Sequence, residues 1–182
     1  MATTPLVTFI GAPGSGKTRI GKRVARHLGV PFIDTDKRIV AEHGPIADIF
    51  ERFGEPHFRR LEREAVVAAL REPAVVSLGG GAIISADTRA DLAKTRVVRL
   101  VVSAEAVASR ITGGKRPLLG AGVEAWKALV EQRQPLYDSV PSRIWDTSSR
   151  PIDHIAEEIA EWVAADAGIS LPTSVVTERG SL

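Results

Sequence analysis

The 182-residue sequence contains no cysteine, no asparagine, a single tyrosine and only 5% aromatic residues. Without cysteine there is no disulfide framework, no thiolate metal site and no cysteine nucleophile. Without asparagine the chain cannot supply the Asn-Lys-x-Asp motif with which Ras-type GTPases read guanine, which argues against that class. No apolar run reaches the roughly 18 residues that a membrane span needs. The start, "MATTPLVTFI", lacks the cationic region of a secretory signal. A cytoplasmic protein with no membrane partner is therefore expected. Neither sign of charge dominates, with 24 Lys plus Arg against 22 Asp plus Glu, so no basic face is implied and no nucleic-acid partner is expected. The histidines, His27, His43, His57 and His154, lack metal-ligand spacing and read as surface or helix-end residues.

What is present is an alternation. The short apolar runs "LVTFI" (6–10), "PFID" (31–34), "AVVSL" (74–78), "RVVRLVV" (96–102) and "RIWDT" (143–147) are separated by helical patterns. That order is the mark of βαβ units and a parallel sheet with helices on both faces, an α/β three-layer fold. Ile20, Val24 and Leu28 recur at helical spacing up to Gly29, a stop signal. Residues 47–71 read as helical but broken at "GEP" (54–56), with Phe58, Leu61, Ala65 and Ala68 on one face and Arg59, Arg60 and Glu62 toward the exposed side or edge. Ser85 and Ser103 open two further helices, Trp126, Leu129, Val130 and Arg133 share another, and Pro151 starts the last. The expectation is one domain over residues 1–167, with a glycine-rich mobile loop at 112–122 and a disordered tail over 168–182.

Three motifs carry chemistry. "GAPGSGKT" (11–18) fits GxxxxGK[ST], with a strand before it and a helix after it. There the backbone N–H groups of Gly14, Ser15 and Gly16 and the positive helix end surround a phosphate, Lys17 reaches the outer phosphates and the Thr18 hydroxyl ligates Mg²⁺. "DTD" (34–36) ends the second strand, at the edge of the sheet where such folds bind ligands. One carboxylate could hold a water of the Mg²⁺ shell while the other reaches an acceptor hydroxyl; alternatively Asp34 ends the strand and Asp36 caps the next helix. "SLGGGAI" (77–83) has three glycines where one would make the turn, which points to close approach of a ligand to bare backbone, a flexible turn being the alternative. Arg59, Arg116 and Arg133 lie on different elements, and Arg116 sits in the glycine-rich loop, where closure would bring it onto a transferring phosphate.

Taken together, "GAPGSGKT", "DTD", "GEPHFRRLE", "SLGGGAI", "RPLL" and "QRQPLY" resemble the shikimate kinase family in order and nearly in spacing, over residues 6 to about 165. The resemblance implies a nucleoside-monophosphate-kinase-like fold with a five-stranded parallel sheet, a substrate-binding helical segment at about 35–62 and a lid at about 112–122. It implies ATP as co-substrate, Mg²⁺ as cofactor and transfer to the 3-hydroxyl of shikimate, by a monomer. Lys17, Asp36 and Arg116 would be catalytic. Arg116 would also bind nucleotide, as would Arg150 in the short "SSRP" loop. Asp36, Arg59, Gly79, Gly80, Gly81 and Arg133 would hold shikimate, with Thr18 on the metal and Asp34 reaching it through water. A gluconate-type small-molecule kinase and a non-catalytic nucleotide-binding module are the alternatives. Arg19, where the family usually has a small hydroxyl residue, departs from the pattern without facing the phosphates.

Overall fold

A computed structural model describes residues 4–112 and 122–172. The strands β1 (Val7–Gly11), β2 (Phe32–Asp34), β3 (Val75–Ser77), β4 (Val97–Val101) and β5 (Arg143–Asp146) form one sheet. Its order is β2-β3-β1-β4-β5, and every pairing is parallel. Around it lie α1 (Lys17–Leu28), α2 (Thr35–His43), α3 (Ile46–Ala69), α4 (Ala86–Leu92), α5 (Ala104–Thr112), α6 (Gly122–Asp138) and α7 (Ile152–Ala167), with a 3-10 turn at Ala82–Ile84. Strands read as apolar runs because both faces of the sheet are covered. Val7, Phe9, Val98 and Leu100 pack on α1 and α7 through Ile20, Val24, Ile155 and Ile159. Ile10, Val76 and Val97 point the other way, to Val66, Leu92 and Tyr137 of α3, α4 and α6.

Chain order and spatial order diverge at β1. The chain leaves β1 for β2 on the outer edge, returns through β3 to β1's side, then crosses to β4 on the opposite side. This reversal leaves a crevice beyond the carboxyl end of β1, where open α/β sheets bind ligands. The glycine-rich loop fills its floor.

Local chemistry sets the boundaries. Asp34 caps α2 by accepting from the Lys37 N–H at 3.2 Å, and Ser85 caps α4 by accepting from the Thr88 N–H at 3.2 Å. Of the two acids in "DTD", Asp34 is therefore the cap and Asp36 is not. The expected break in α3 falls at Gly54, whose backbone is non-helical with φ 80°. A small separate core of Ile39, Ile49, Phe58 and Leu61 unites α2 with both halves of α3. Beyond α7, Gly168 adopts the left-handed conformation (φ 65°), and the Ile169 N–H bonds back to the Ala164 carbonyl at 3.0 Å, so the first residues of the expected tail close the helix. Residues 173–182 of that tail, and residues 113–121 of the expected lid with Arg116, lie outside the described residues.

Candidate active site

The loop after β1 is a defined turn. Ser15 N–H bonds to the Ala12 carbonyl at 3.2 Å, with Pro13 and Gly14 between them and Gly14 at φ 83°. Proline fixes a negative φ at the first central position, so a positive φ at the second leaves only a type II turn. Gly16, at φ 92°, then stands as the cap of α1. Lys17 Nζ folds back onto the loop, donating to the carbonyls of Gly11 (2.7 Å) and Ala12 (3.1 Å). The Ser15 side chain is buried, and its hydroxyl has no hydrogen-bond partner among the described residues. At the head of α1 the Thr18 hydroxyl donates to Asp34 Oδ2 at 2.9 Å. A hydroxyl and a carboxylate side by side suit a Mg²⁺ ion that would take its remaining ligands from phosphate and water.

Across from the loop, three consecutive glycines are each pressed against a different side chain. A Cβ on Gly79 would overlap the Asp36 carboxylate and one on Gly81 the Arg59 guanidinium, while one on Gly80 would stand 3.3 Å from the Pro13 ring. Among the described residues, the neighbours that need the missing side chains include the Asp36 carboxylate and the Arg59 guanidinium. Gly79 is held in turn by Thr35, the central residue of "DTD", whose buried hydroxyl accepts from the Gly79 N–H at 3.1 Å and donates to the Ser77 carbonyl at 3.4 Å. Nothing in the sequence singles out Thr35 beyond its place between two acids.

Asp36 is half-buried, and its carboxyl titrates above the usual range chiefly because burial disfavours its charge and secondly because Asp34 lies nearby; Lys17 and Arg59 oppose this. Arg59 donates to Glu62 at 2.8 Å and to Glu55 at 3.1 and 3.2 Å, with its guanidinium over the Phe58 ring. Glu62 is only 4% exposed, which corrects its expected place on the exposed edge of α3. Burial raises its pKa first, Arg59 lowers it, and Asp36 and Arg133 are close enough to act on it. A signal was available: Glu62 stands four residues after Phe58 and four before Val66, both buried. From the other side Arg133, on α6, donates to the Gly80 carbonyl at 2.9 Å. The Tyr137 hydroxyl donates to the same oxygen at 3.4 Å.

The structure thus brings Lys17, Thr18, Asp34, Asp36, Arg59, Gly79, Gly80, Gly81 and Arg133 together around one crevice. Arg150 is exposed and bound to Glu158 of α7. Arg110, in contrast, reaches the loop directly, donating to the Gly14 carbonyl at 2.7 Å and also to that of Thr147. A nucleotide-type loop on one wall, with an acid and two arginines on the other, has the layout of a P-loop kinase.

Comparison with known proteins is specific about which. The family model for shikimate kinase matches residues 13–164. The shikimate kinase of Thermobifida fusca is 45% identical over 170 residues, covering 91% of this chain and 96% of that protein. That of Mycobacterium avium is 47% identical over 152 residues, covering 80% and 86%. Among solved structures, the shikimate kinase from Acinetobacter baumannii in complex with shikimate superposes with a TM-score of 0.79 at 29% identity, covering 90% of this chain and 94% of that one. The chain belongs to the shikimate kinase family and is a kinase.

Proposed function

We propose that this protein transfers the γ-phosphoryl group of ATP to the 3-hydroxyl of shikimate, giving shikimate 3-phosphate and ADP on the route to aromatic amino acids. The observation that carries the reading is Arg59 and Arg133 entering one crevice from different helices, beside Asp36 and across from the loop, because an anionic acceptor gives both cations a task. The guanidiniums would take the shikimate carboxylate as charge-assisted hydrogen bonds. Asp36 would bind the ring hydroxyls and accept the proton of the attacking one, while the backbone of Gly79, Gly80 and Gly81 limits how the ring sits.

Little covalent chemistry is asked of the chain. Positioning the hydroxyl in line with the γ-phosphorus and neutralising the phosphate oxygens supply most of the rate. The amides of Gly14, Ser15 and Gly16 would hold the phosphates, with Lys17 leaving the carbonyls of Gly11 and Ala12 to reach the transferring group. Mg²⁺, bound at Thr18 and through water at Asp34, would neutralise phosphate charge. Arg116 would add a cation from the 113–121 segment and exclude water, and Arg150 would reach the nucleotide only by leaving Glu158. A cytoplasmic monomer of one domain, residues 1–167, completes the reading; no described helix is long and apolar enough to cross a membrane.

The experiment is an ADP-release assay with shikimate, quinate and gluconate as acceptors. Turnover is expected with shikimate. Turnover with gluconate and none with shikimate would move the chain to the gluconate-type kinases, and nucleotide binding without transfer to any acceptor would make it a binding module.

A further inference from the structure

The phosphate-binding loop is held from outside as well as from within. Three consecutive carbonyls are occupied by side chains from three different elements. The indole N–H of Trp126, on α6, donates to the Pro13 carbonyl at 2.8 Å. Arg110, on α5, donates to that of Gly14 at 2.7 Å, and the Thr147 hydroxyl, beyond β5, donates to that of Ser15 at 2.9 Å. A peptide unit is planar, with C=O and N–H opposed, so fixing a carbonyl fixes the direction of the next residue's amide.

The Pro13–Gly14 peptide is the one whose orientation is least secured by the turn itself. It is the central peptide of a type II turn, and types I and II differ by a half-rotation of that unit while the Ala12–Ser15 bond is retained. Glycine at position 14 tolerates both states. The indole bond selects one, with the Pro13 carbonyl toward α6 and the Gly14 amide on the opposite side. Trp126 is buried against Ala12 and Val107, so its N–H is a fixed donor. Two turns along the same helix, Arg133 is bonded to Gly80, whose backbone packs on the Pro13 ring. One rigid helix therefore touches both walls of the crevice.

We propose that Trp126 is a positioning residue of the nucleotide site: its indole N–H locks the Pro13–Gly14 peptide in the flip state that presents the Gly14 amide to a phosphate. The inference rests on the loop holding a nucleotide, and goes beyond that reading in assigning the loop's orientation to α6. Calorimetry on Trp126→Phe with ADP alone, and separately with shikimate alone, tests it. ADP affinity is expected to fall five- to tenfold while shikimate affinity stays within twofold of wild type.

Replacing Trp126 by 3-benzothienylalanine keeps the bicyclic shape and removes only the N–H, so a folding defect in the phenylalanine variant does not end the test; the same selective loss is expected. Wild-type ADP affinity in the benzothienyl variant overturns the proposal, as does an equal loss for both ligands, which marks a purely structural role. Failure of the kinase reading shows itself separately, as absence of shikimate binding in the wild-type protein.

Discussion

Replacing Gly79 by alanine tests whether the triple glycine exists to let side chains sit close rather than to let the backbone turn. None of the three glycines lies in the left-handed region, so alanine adds no backbone strain and should reduce unfolded-state entropy slightly. What it adds is one carbon, 2.9 Å from Asp36 Cγ and 3.0 Å from Oδ2, and closer still to Oδ1. Non-bonded heavy atoms settle at roughly 3.5 Å, so something must withdraw by about 0.5 to 1 Å. The backbone is not free to do so, because the Gly79 N–H is bonded to Thr35 and the Leu78 N–H to the Phe9 carbonyl. The Asp36 carboxylate therefore moves. A displacement of about 1 Å at a reacting group costs roughly a hundredfold in rate, or about 2.7 kcal/mol of transition-state stabilisation. Steady-state kinetics should show kcat down by about that factor, the KM for ATP within twofold and the melting temperature within a few degrees. The matching change at Gly81 meets the Arg59 guanidinium instead, and should raise the shikimate KM with a smaller loss of kcat. If Gly79→Ala turned over like wild type, the close-approach argument would be wrong.

Other expectations follow from the same wall of the crevice. Asp36→Asn is expected to abolish transfer while ATP still binds, and to melt higher than wild type at neutral pH. The folded pKa of Asp36 is raised, so its contribution to stability is full below the usual aspartate value and lost as pH rises through the raised one; a variant that melts lower at pH 7 and no differently at pH 4 would contradict this. For the same cause the acid limb of kcat/KM should stand above the ordinary aspartate range, and Asp34→Asn should shift it downward; an upward shift would show that Asp34 does not act on Asp36 as a like charge. Arg133→Ala should raise the shikimate KM roughly ten- to hundredfold, the loss of one charge-assisted hydrogen bond of about 1.5 to 3 kcal/mol, and an unchanged KM would remove it from the acceptor site. Glu62→Gln weakens the 2.8 Å partner of Arg59 and should raise the shikimate KM about fivefold, on the order of 1 kcal/mol, with the KM for ATP unmoved.

The linear chain by itself determined the five strands, the loop and the acids, because each depends on neighbours within a few residues. Apolar runs, glycine spacing in "GAPGSGKT" and capping residues such as Ser85 act locally, and they are where expectation and structure coincide. The order of strands in the sheet and the joining of α3 and α6 at one crevice depend on packing between segments more than forty residues apart. Only the tertiary structure decided that Thr35 fastens Gly79, 44 residues away. Trp126 is the sharpest case. Sequence places it on a helix with Leu129, Val130 and Arg133 and says nothing of its indole N–H; that group seeks an acceptor wherever folding sets one, and here the acceptor is the Pro13 carbonyl, 113 residues away.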